Sequence, residues 1–172
     1  GVQWKGKTTP LEKITRIRWG GTSHSVNGIP SGTNYTVVFG TDTNSTSISI
    51  RKTNTYDGIV QRLWKGAGVQ ILINLIENLK TGATVEIGGV VVADAGVQIR
   101  RKKFLGTGEF EFCKWSELQI WTADGSFCIG KENDKKVRAA LPYQETDNVH
   151  ILEFAIRHKF EKPGLTLSAA FQ

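Results

Sequence analysis

The stretch 118–129, Leu-Gln-Ile-Trp-Thr-Ala-Asp-Gly-Ser-Phe-Cys-Ile, decides the fold of this chain. Asp124-Gly125 at its centre is the clearest hairpin signal, because these residue types tolerate the positive φ that a two-residue antiparallel turn requires. The turn joins strands predicted at Leu118–Trp121 and Phe127–Ile129. A third strand is predicted at Val137–Leu141, where apolar residues alternate with other residues. We therefore expect three consecutive antiparallel strands.

An amphipathic helix is predicted directly after these strands, over Asp147–Lys159, with Thr146 or Asp147 as its N-cap. Pro163-Gly164 stops the helical pattern. Its apolar residues recur at steps of three and four, which places them on one face. That face comprises Val149, Leu152, Ile156 and Phe160, widened by Ile151 and Phe154.

The same order of three strands and one helix occurs earlier in the chain. Its strands are predicted at Ile14–Trp19, Tyr35–Phe39 and Ile48–Lys52. Residues 22–34 between the first two strands carry several turn formers and are predicted to be a long loop. A repeated strand–strand–strand–helix order restricts the fold much more than it restricts the function.

The helix of this earlier copy is predicted over Asp57–Lys80, with Asp57 as the N-cap and Gly82 as the C-terminal stop. Gly66 and Gly68 each weaken its middle by about 1 kcal/mol relative to alanine. A kink, or the close approach of another part of the chain, would explain them.

Between the two copies, four more strands are predicted, so seven strands precede the second helix. Phe110 and Phe112 share one face of the last of these four, and the alternation predicts that they lie in the core. The four strands are Thr84–Ile87, Val90–Ala93, Val97–Lys103 and Glu109–Trp115.

Seven antiparallel strands followed by a helix resemble the pleckstrin-homology-like superfold. The resemblance rests on the start of the strand at Trp115–Leu118, the Asp124-Gly125 hairpin, Val137–Leu141 and the helix Asp147–Lys159. It covers Thr84–Phe160 and matches residues 14–80 only as last strands plus helix. It implies an α+β fold with two tandem units, 1–82 and 83–172, each an antiparallel β-barrel or sheet capped by a C-terminal helix.

Composition favours an ordinary soluble globular protein with anionic partners. The chain has 172 residues, 22% charged residues and a formal net charge of +6. Its two cysteines, Cys113 and Cys128, make neither a disulfide framework nor a zinc ligand set, so we expect a reducing, cytoplasmic compartment and no metal. The inner face of a membrane is one expected place of action there.

Two basic stretches are the candidate binding residues: Arg100, Arg101, Lys102 and Lys103 form the denser one, and Lys135, Lys136 and Arg138 the second. Such residues protect exposed strand edges, bind anionic lipid headgroups or bind another acidic partner. Nucleic acid would need exposed aromatic residues beside them, and the order of Phe104, Phe110 and Phe112 fits a core better. Lipid-binding members of the superfold carry basic residues around the first hairpin, whereas the turn at 92–96 here is apolar and acidic.

The sequence offers little for catalysis. His150 and Glu153 form an i, i+3 pair on the predicted helix, and no metal, nucleophile or phosphate-loop motif accompanies them. We therefore expect a non-catalytic binding module without a cofactor, which the resemblance also implies, recognising a protein partner or an anionic membrane surface. The alternatives are a structural subunit of a homo-oligomer and a hydrolase using His150, Glu153 or the loop 22–34.

Overall fold

The computed structural model describes residues 1–4, 6–103, 106 and 108–172, in which antiparallel β-sheets combine with α-helices. This confirms the predicted α+β class. The chain divides into two compact units, Gly1–Ile71 and Leu72–Gln172, and each unit is described by itself.

The first unit opens with a two-stranded antiparallel sheet. A three-stranded antiparallel sheet follows, with the order β3-β4-β5 that the sequence predicted for its first copy. Ile17, Val37 and Phe39 of this sheet are buried. The strands are β1 Val2–Trp4, β2 Lys7–Thr9, β3 Arg16–Val26, β4 Ile29–Gly40 and β5 Ser45–Ile50.

The prediction of a long loop at residues 22–34 is wrong. Strands β3 and β4 run through this segment to a two-residue turn, Asn27-Gly28, with φ of 51° and 80°. These angles are those of the tight turn that Asn-Gly forms between antiparallel strands. The pairing shifts register between His24 and Ser25, next to Pro30, which has no N–H to give to a ladder. Pro30 and Gly32 therefore disturb the strand pairing locally, but the hairpin continues past them.

The helix of the first copy begins earlier than predicted. Helix α1 spans Thr53–Leu63, and its N-cap residue is Lys52 rather than Asp57. A π-helical turn, Trp64–Gly68, joins it to α2, Val69–Lys80. The predicted helix thus exists, with an extra residue accommodated in its middle.

Close packing explains Gly66. A Cβ built there would lie 2.7 Å from Cδ1 of Leu11, in the short 3-10 helix Leu11–Lys13. The helix end confirms the other glycine prediction, since Gly82 has φ of 83° and its N–H donates to Leu79 O at 3.0 Å. The N–H of Ala83 donates to Asn78 O at 3.1 Å, which completes a Schellman ending.

The described part of the second unit has seven strands followed by a helix, in the order predicted. They form a four-stranded sheet, β6-β7-β8-β9, and a three-stranded sheet, β10-β11-β12. The turn between β10 and β11 is Asp124-Gly125, as predicted. The elements are β6 Val85–Ile87, β7 Val90–Ala93, β8 Gly96–Arg100, β9 Phe110–Lys114, β10 Leu118–Ala123, β11 Ser126–Lys131, β12 Asp134–Pro142 and helix α3 Val149–Phe160.

The predicted closed barrel is not observed among the described strands of this unit. The two sheets are separate ladders, and a single bridge, Arg101 with Val137, joins the continuation of β8 to β12. The turn at 92–96 is the second hairpin of the unit, because the first is Gly88-Gly89 between β6 and β7.

Helix α3 supplies much of the buried apolar surface of the second unit. Ile151, Leu152 and Ile156 are fully buried. Two details differ from prediction: the N-cap residue is Asn148, with φ of 62°, rather than Thr146 or Asp147, and Phe154 is 45% exposed. The remaining apolar residues predicted for the core face are buried or half-buried.

Candidate functional site

The fold brings the two predicted basic stretches together. Beyond β8 the chain continues beside the start of β12, where the N–H of Lys102 donates to Lys136 O at 2.8 Å. Arg101 pairs with Val137 in the same place. An open groove is lined by Arg101, Lys102, Lys103 and Lys136. The structure thus brings Lys136 of the second stretch beside the first stretch, while Lys135 and Arg138 line a separate cavity.

Arg101 is the structural member of this group. Its guanidinium donates from Nη2 to Glu111 Oε2 and to Asp134 Oδ2, each at 2.7 Å. These hydrogen bonds raise its pKa. Since Glu111 lies on β9 and Asp134 begins β12, Arg101 ties the four-stranded sheet to the three-stranded sheet. Its positive charge is therefore largely neutralised by Glu111 and Asp134, so that it contributes little to binding a partner.

Lys131 extends this network. Its ammonium donates to Glu111 Oε1 at 2.8 Å and lies 3.6 Å from Glu117 Oε1. The hydrogen bonds from Lys131 and then Arg101 lower the pKa of Glu111. The backbone N–H of Lys136, ahead of Arg101, lowers the pKa of Asp134. Both carboxylates are ionised at neutral pH and form their ion pairs with Arg101 and Lys131.

The remaining cations of the two stretches stay exposed. Within the described residues, none of their side chains makes an ion pair, because Glu111 and Asp134 are already bound to Arg101 and Lys131. The surface therefore has an uncompensated positive charge. Arg100, the sixth of them, donates to Gly108 O and lies over the Phe110 ring. We call the other five residues the cationic surface: Lys102, Lys103, Lys135, Lys136 and Arg138.

Two exposed aromatic side chains lie on β9, and one of them contacts Arg100 of the first basic stretch. Phe110 and Phe112 on β9 are 38% and 45% exposed, so their predicted place in the core is wrong. The alternation along β9 is real, but Cys113 faces the core instead. Arg100 has its guanidinium carbon 4.1 Å from the centre of the Phe110 ring. Phe104 lies outside the described residues.

Trp121 is a further aromatic neighbour that the sequence did not single out. It lines a small open cavity of about 300 Å³ together with Lys135 and Arg138. Gly130, opposite Arg138 in the β11–β12 ladder, leaves room for its ring: an added Cβ would lie 3.3 Å from Trp121. The alternation of apolar residues in 118–123 does not reveal that this ring would meet lysines from another strand.

In the first unit, the hairpin β3–β4 is the most exposed element. Residues 21–25 and 27–32 are all exposed, and Ile29 next to the turn is 70% exposed. Polar contacts join its strands, such as the 3.2 Å hydrogen bond between Ser23 Oγ and Thr33 Oγ1. We call residues 21–32 the hairpin arm.

His150 and Glu153, the candidates of the alternative hydrolase hypothesis, make contacts that support the fold. His150 stacks on Tyr143 with ring centres 4.7 Å apart. Glu153 accepts a 2.8 Å hydrogen bond from Tyr143 Oη and another from Arg157 Nε. Within the described residues, no three His, Cys, Asp or Glu side chains are grouped for a metal ion. Cys113 and Cys128 are free and buried, and burial raises the pKa of both thiols.

None of the described helices is long and apolar enough to cross a membrane. No protein-family model, curated protein or solved structure matches the chain.

Proposed function

We propose that this chain is a non-catalytic binding module whose cationic surface contacts an anionic phospholipid membrane. The observation that carries the proposal is the meeting of two basic stretches around the hydrogen bond from Lys102 to Lys136. The neighbouring carboxylates are occupied by Arg101 and Lys131, so the remaining charge faces solvent. A cytoplasmic site of action at the inner face of a membrane follows from this proposal.

The form of the surface favours a membrane over a compact anion. Its cations are long, exposed side chains spread along two chain segments, whereas a single phosphate is held by convergent donors. Each lysine or arginine near an anionic membrane contributes about 1 kcal/mol. Phe110 and Phe112 add apolar surface, which can enter the interfacial region beside the headgroups.

The same proposal includes the architecture. In the second unit, a four-stranded and a three-stranded antiparallel sheet followed by α3 support assignment to the pleckstrin-homology-like superfold. In the first unit, the sheet β3-β4-β5 is followed by α1, which corresponds to the last strands and the helix of the same superfold. This supports the proposal of two such units in tandem. The cationic surface would then be a lipid contact outside the first hairpin, whose turn is Gly88-Gly89.

Sedimentation with vesicles tests the membrane contact. We expect the protein to pellet with vesicles of phosphatidylcholine and phosphatidylserine in a 7:3 ratio and not with phosphatidylcholine alone. Binding should weaken as sodium chloride increases, since exposed charges are screened over about 10 Å at 0.1 M salt.

A matched pair of variants makes the test specific. Lys102→Gln/Lys103→Gln/Lys136→Gln removes three charges from the groove, and Lys13→Gln/Lys52→Gln/Lys65→Gln removes three exposed charges from the first unit. The first variant should lose about a hundredfold in affinity and the second much less. Equal losses, or no preference for anionic vesicles, would refute the membrane contact. Binding to a soluble polyglutamate with equal dependence on the groove lysines would replace it with an acidic protein partner.

A second candidate function rests on the hairpin arm. A two-stranded ribbon has two open edges, and open edges pair with other chains. Here the arm is exposed on residues 21–25 and 27–32 and carries Ile29 beside its turn. The arm supports a structural subunit that associates with a second copy of the chain.

Light scattering coupled to size-exclusion chromatography tests this candidate. A homo-oligomer that Ile29→Thr converts to monomer would support it, with Ile73→Thr as the control, because Ile73 on α2 is another exposed isoleucine. A monomer at all concentrations, or an oligomer unaffected by Ile29→Thr, would eliminate it.

A further inference from the structure

A second concave site lies in the second unit, at the C-terminal end of helix α3. It is an open cleft of about 420 Å³. Its walls come from the end of β9, from the 3-10 helix Trp115–Glu117, from the last turn of α3 and from the segment after it. The lining residues are Ala95, Phe112, Lys114, Trp115, Ser116, Leu118, Lys159, Phe160, Pro163, Gly164, Leu165 and Thr166.

Lys159 gives this cleft its chemistry. The residue is only 3% exposed, although lysine is almost never buried without a partner of opposite charge. Among the described residues its ammonium has one hydrogen-bond acceptor, Lys162 O at 3.5 Å, which is the long limit for such a bond. Burial lowers its pKa. The lining of the cleft contains no aspartate or glutamate.

The other walls are mainly apolar. Phe112 and Leu165 are 45% and 44% exposed at the cleft, and Trp115 lies deeper, at 6%. Lys114 adds an exposed cation. A buried ammonium beside flat apolar walls is complementary to a molecule with an apolar body and one anionic group.

The cleft is held in shape by Asp94. Its carbonyl oxygen accepts hydrogen bonds from Trp115 Nε1 at 2.7 Å and from the N–H of Leu167 at 3.0 Å. Its carboxylate accepts two more from Ser168. The indole wall and the segment 163–166 are thus anchored to the same turn, so the site is largely formed before a ligand arrives.

We propose that this cleft binds a small amphipathic carboxylate, with its carboxylate on Lys159 Nζ and its apolar body against Phe112 and Leu165. The proposal does not rest on the membrane contact, although Phe112 takes part in both. It assigns a ligand to a buried charge that nothing else in the described residues neutralises.

Calorimetric titration without vesicles tests it, with 2-naphthoate as the probe and 2-naphthamide as its uncharged counterpart. The carboxylate should bind at least about tenfold more tightly than the amide, since a hydrogen bond between two charged groups is about twice as strong as a neutral one. Lys159→Met keeps the apolar stem, removes the ammonium and should reduce the affinity for 2-naphthoate to that for the amide. Lys65→Met, at an exposed position of the first unit, is the control and should leave both affinities unchanged.

Equal affinities for the two probes, or full binding of 2-naphthoate by Lys159→Met, would overturn the proposal. Lys159→Gln, with unfolding followed by circular dichroism, serves as a second variant of the same position. If it too is folded and still prefers the carboxylate, Lys159 is not the anion-binding group. Failure of vesicle binding leaves this outcome unchanged, because no vesicle is present.

Discussion

Two hydrogen bonds join Asp94 to Ser168, which are 74 residues apart in the chain. The N–H of Ser168 donates to Oδ1 of Asp94 at 2.7 Å, and its hydroxyl donates to Oδ2 at 3.1 Å. Asp94 is in the turn between β7 and β8, and Ser168 follows helix α3. A turn aspartate therefore fixes the C-terminal segment of the chain, which otherwise has no strand partner in the described residues.

Replacing Asp94 with alanine should release this segment. The loss of two hydrogen bonds to a charged acceptor should lower the free energy of unfolding by about 2–3 kcal/mol, measured by urea unfolding. Ser168→Ala removes only the hydroxyl bond and should cost about 1 kcal/mol. In Asp94→Ala, the amide of Ser168 should exchange its hydrogen much faster than the amides that exchange only when the whole protein unfolds. Glu86→Ala, at an exposed position of β6, is the control. An effect of Asp94→Ala no larger than that of Glu86→Ala would contradict this role.

Two helix glycines should respond to alanine in opposite directions. Gly58 in α1 has nothing within 4 Å of an added Cβ, so Gly58→Ala should stabilise the protein by about 0.5–1 kcal/mol. At Gly66 an added Cβ meets both methyl groups of Leu11, at 2.7 and 2.9 Å. Gly66→Ala should therefore be destabilising by about 1 kcal/mol, because the clash exceeds the gain in helix propensity.

Removing the obstacle should reverse the sign at Gly66. In a Leu11→Ala background, Gly66→Ala should become stabilising in thermal unfolding, since the added methyl then occupies free space. The same negative effect in both backgrounds would show that the contact with Leu11 is not the cause.

The ion network of Arg101 predicts sensitivity to acid. The carboxyl pKa of Glu111 is lowered in the folded protein, so its contribution is present above the unfolded value of about 4.3 and is lost as pH falls through the folded value. The wild type should lose stability below about pH 4.3 more steeply than Glu111→Gln does. The two unfolding curves should converge at lower pH, and Glu86→Gln should follow the wild type throughout. Parallel curves for wild type and Glu111→Gln would exclude the network as the origin.

Lys159 predicts a pH dependence of the same sign, but in the alkaline range. Its pKa is lowered in the folded protein, so the cost of burying its charge disappears as pH rises from the folded value to about 10.4. Lys159→Met should be more stable than the wild type at neutral pH, on the order of 1 kcal/mol. That advantage should shrink in unfolding experiments as pH approaches 10. A constant advantage would point to packing rather than charge.

Local patterns in the sequence were sufficient for the elements and much of their order. Asp124-Gly125 and the spacing of Leu152 and Ile156 depend on neighbours in the chain, and both predictions are confirmed. Asn27-Gly28 signals the turn of the hairpin arm, but Pro30 and Gly32 close to it are typical strand breakers, so the local pattern predicts a loop there.

Which face of a strand is buried depends on what packs against it, and the sequence does not contain that information locally. Phe110 and Phe112 look like core residues, yet Cys113 is the one buried in β9. The cationic surface was identified as two candidates, and only the pairing of Arg101 with Val137 joins them. The sequence does not reveal the cleft around Lys159 for the same reason, since its walls come from three separate stretches of the chain, at residue 95, 112–118 and 159–166.

Tyr56 should titrate above the ordinary pKa of a tyrosine. It stacks on Tyr35 with ring centres 4.3 Å apart, and burial, with Asp57 and Tyr35, raises its pKa to about 12. Because the pKa of Tyr56 is higher in the folded than in the unfolded protein, the residue stabilises the fold at pH values below its unfolded pKa of about 10. This stabilisation is lost as the pH rises towards 12. Absorbance at 295 nm should show one tyrosine step near pH 12 that Tyr56→Phe removes, while Tyr143→Phe, the control, leaves it in place. A step near pH 10 for every tyrosine would mean that the Tyr35–Tyr56 stack is open to solvent.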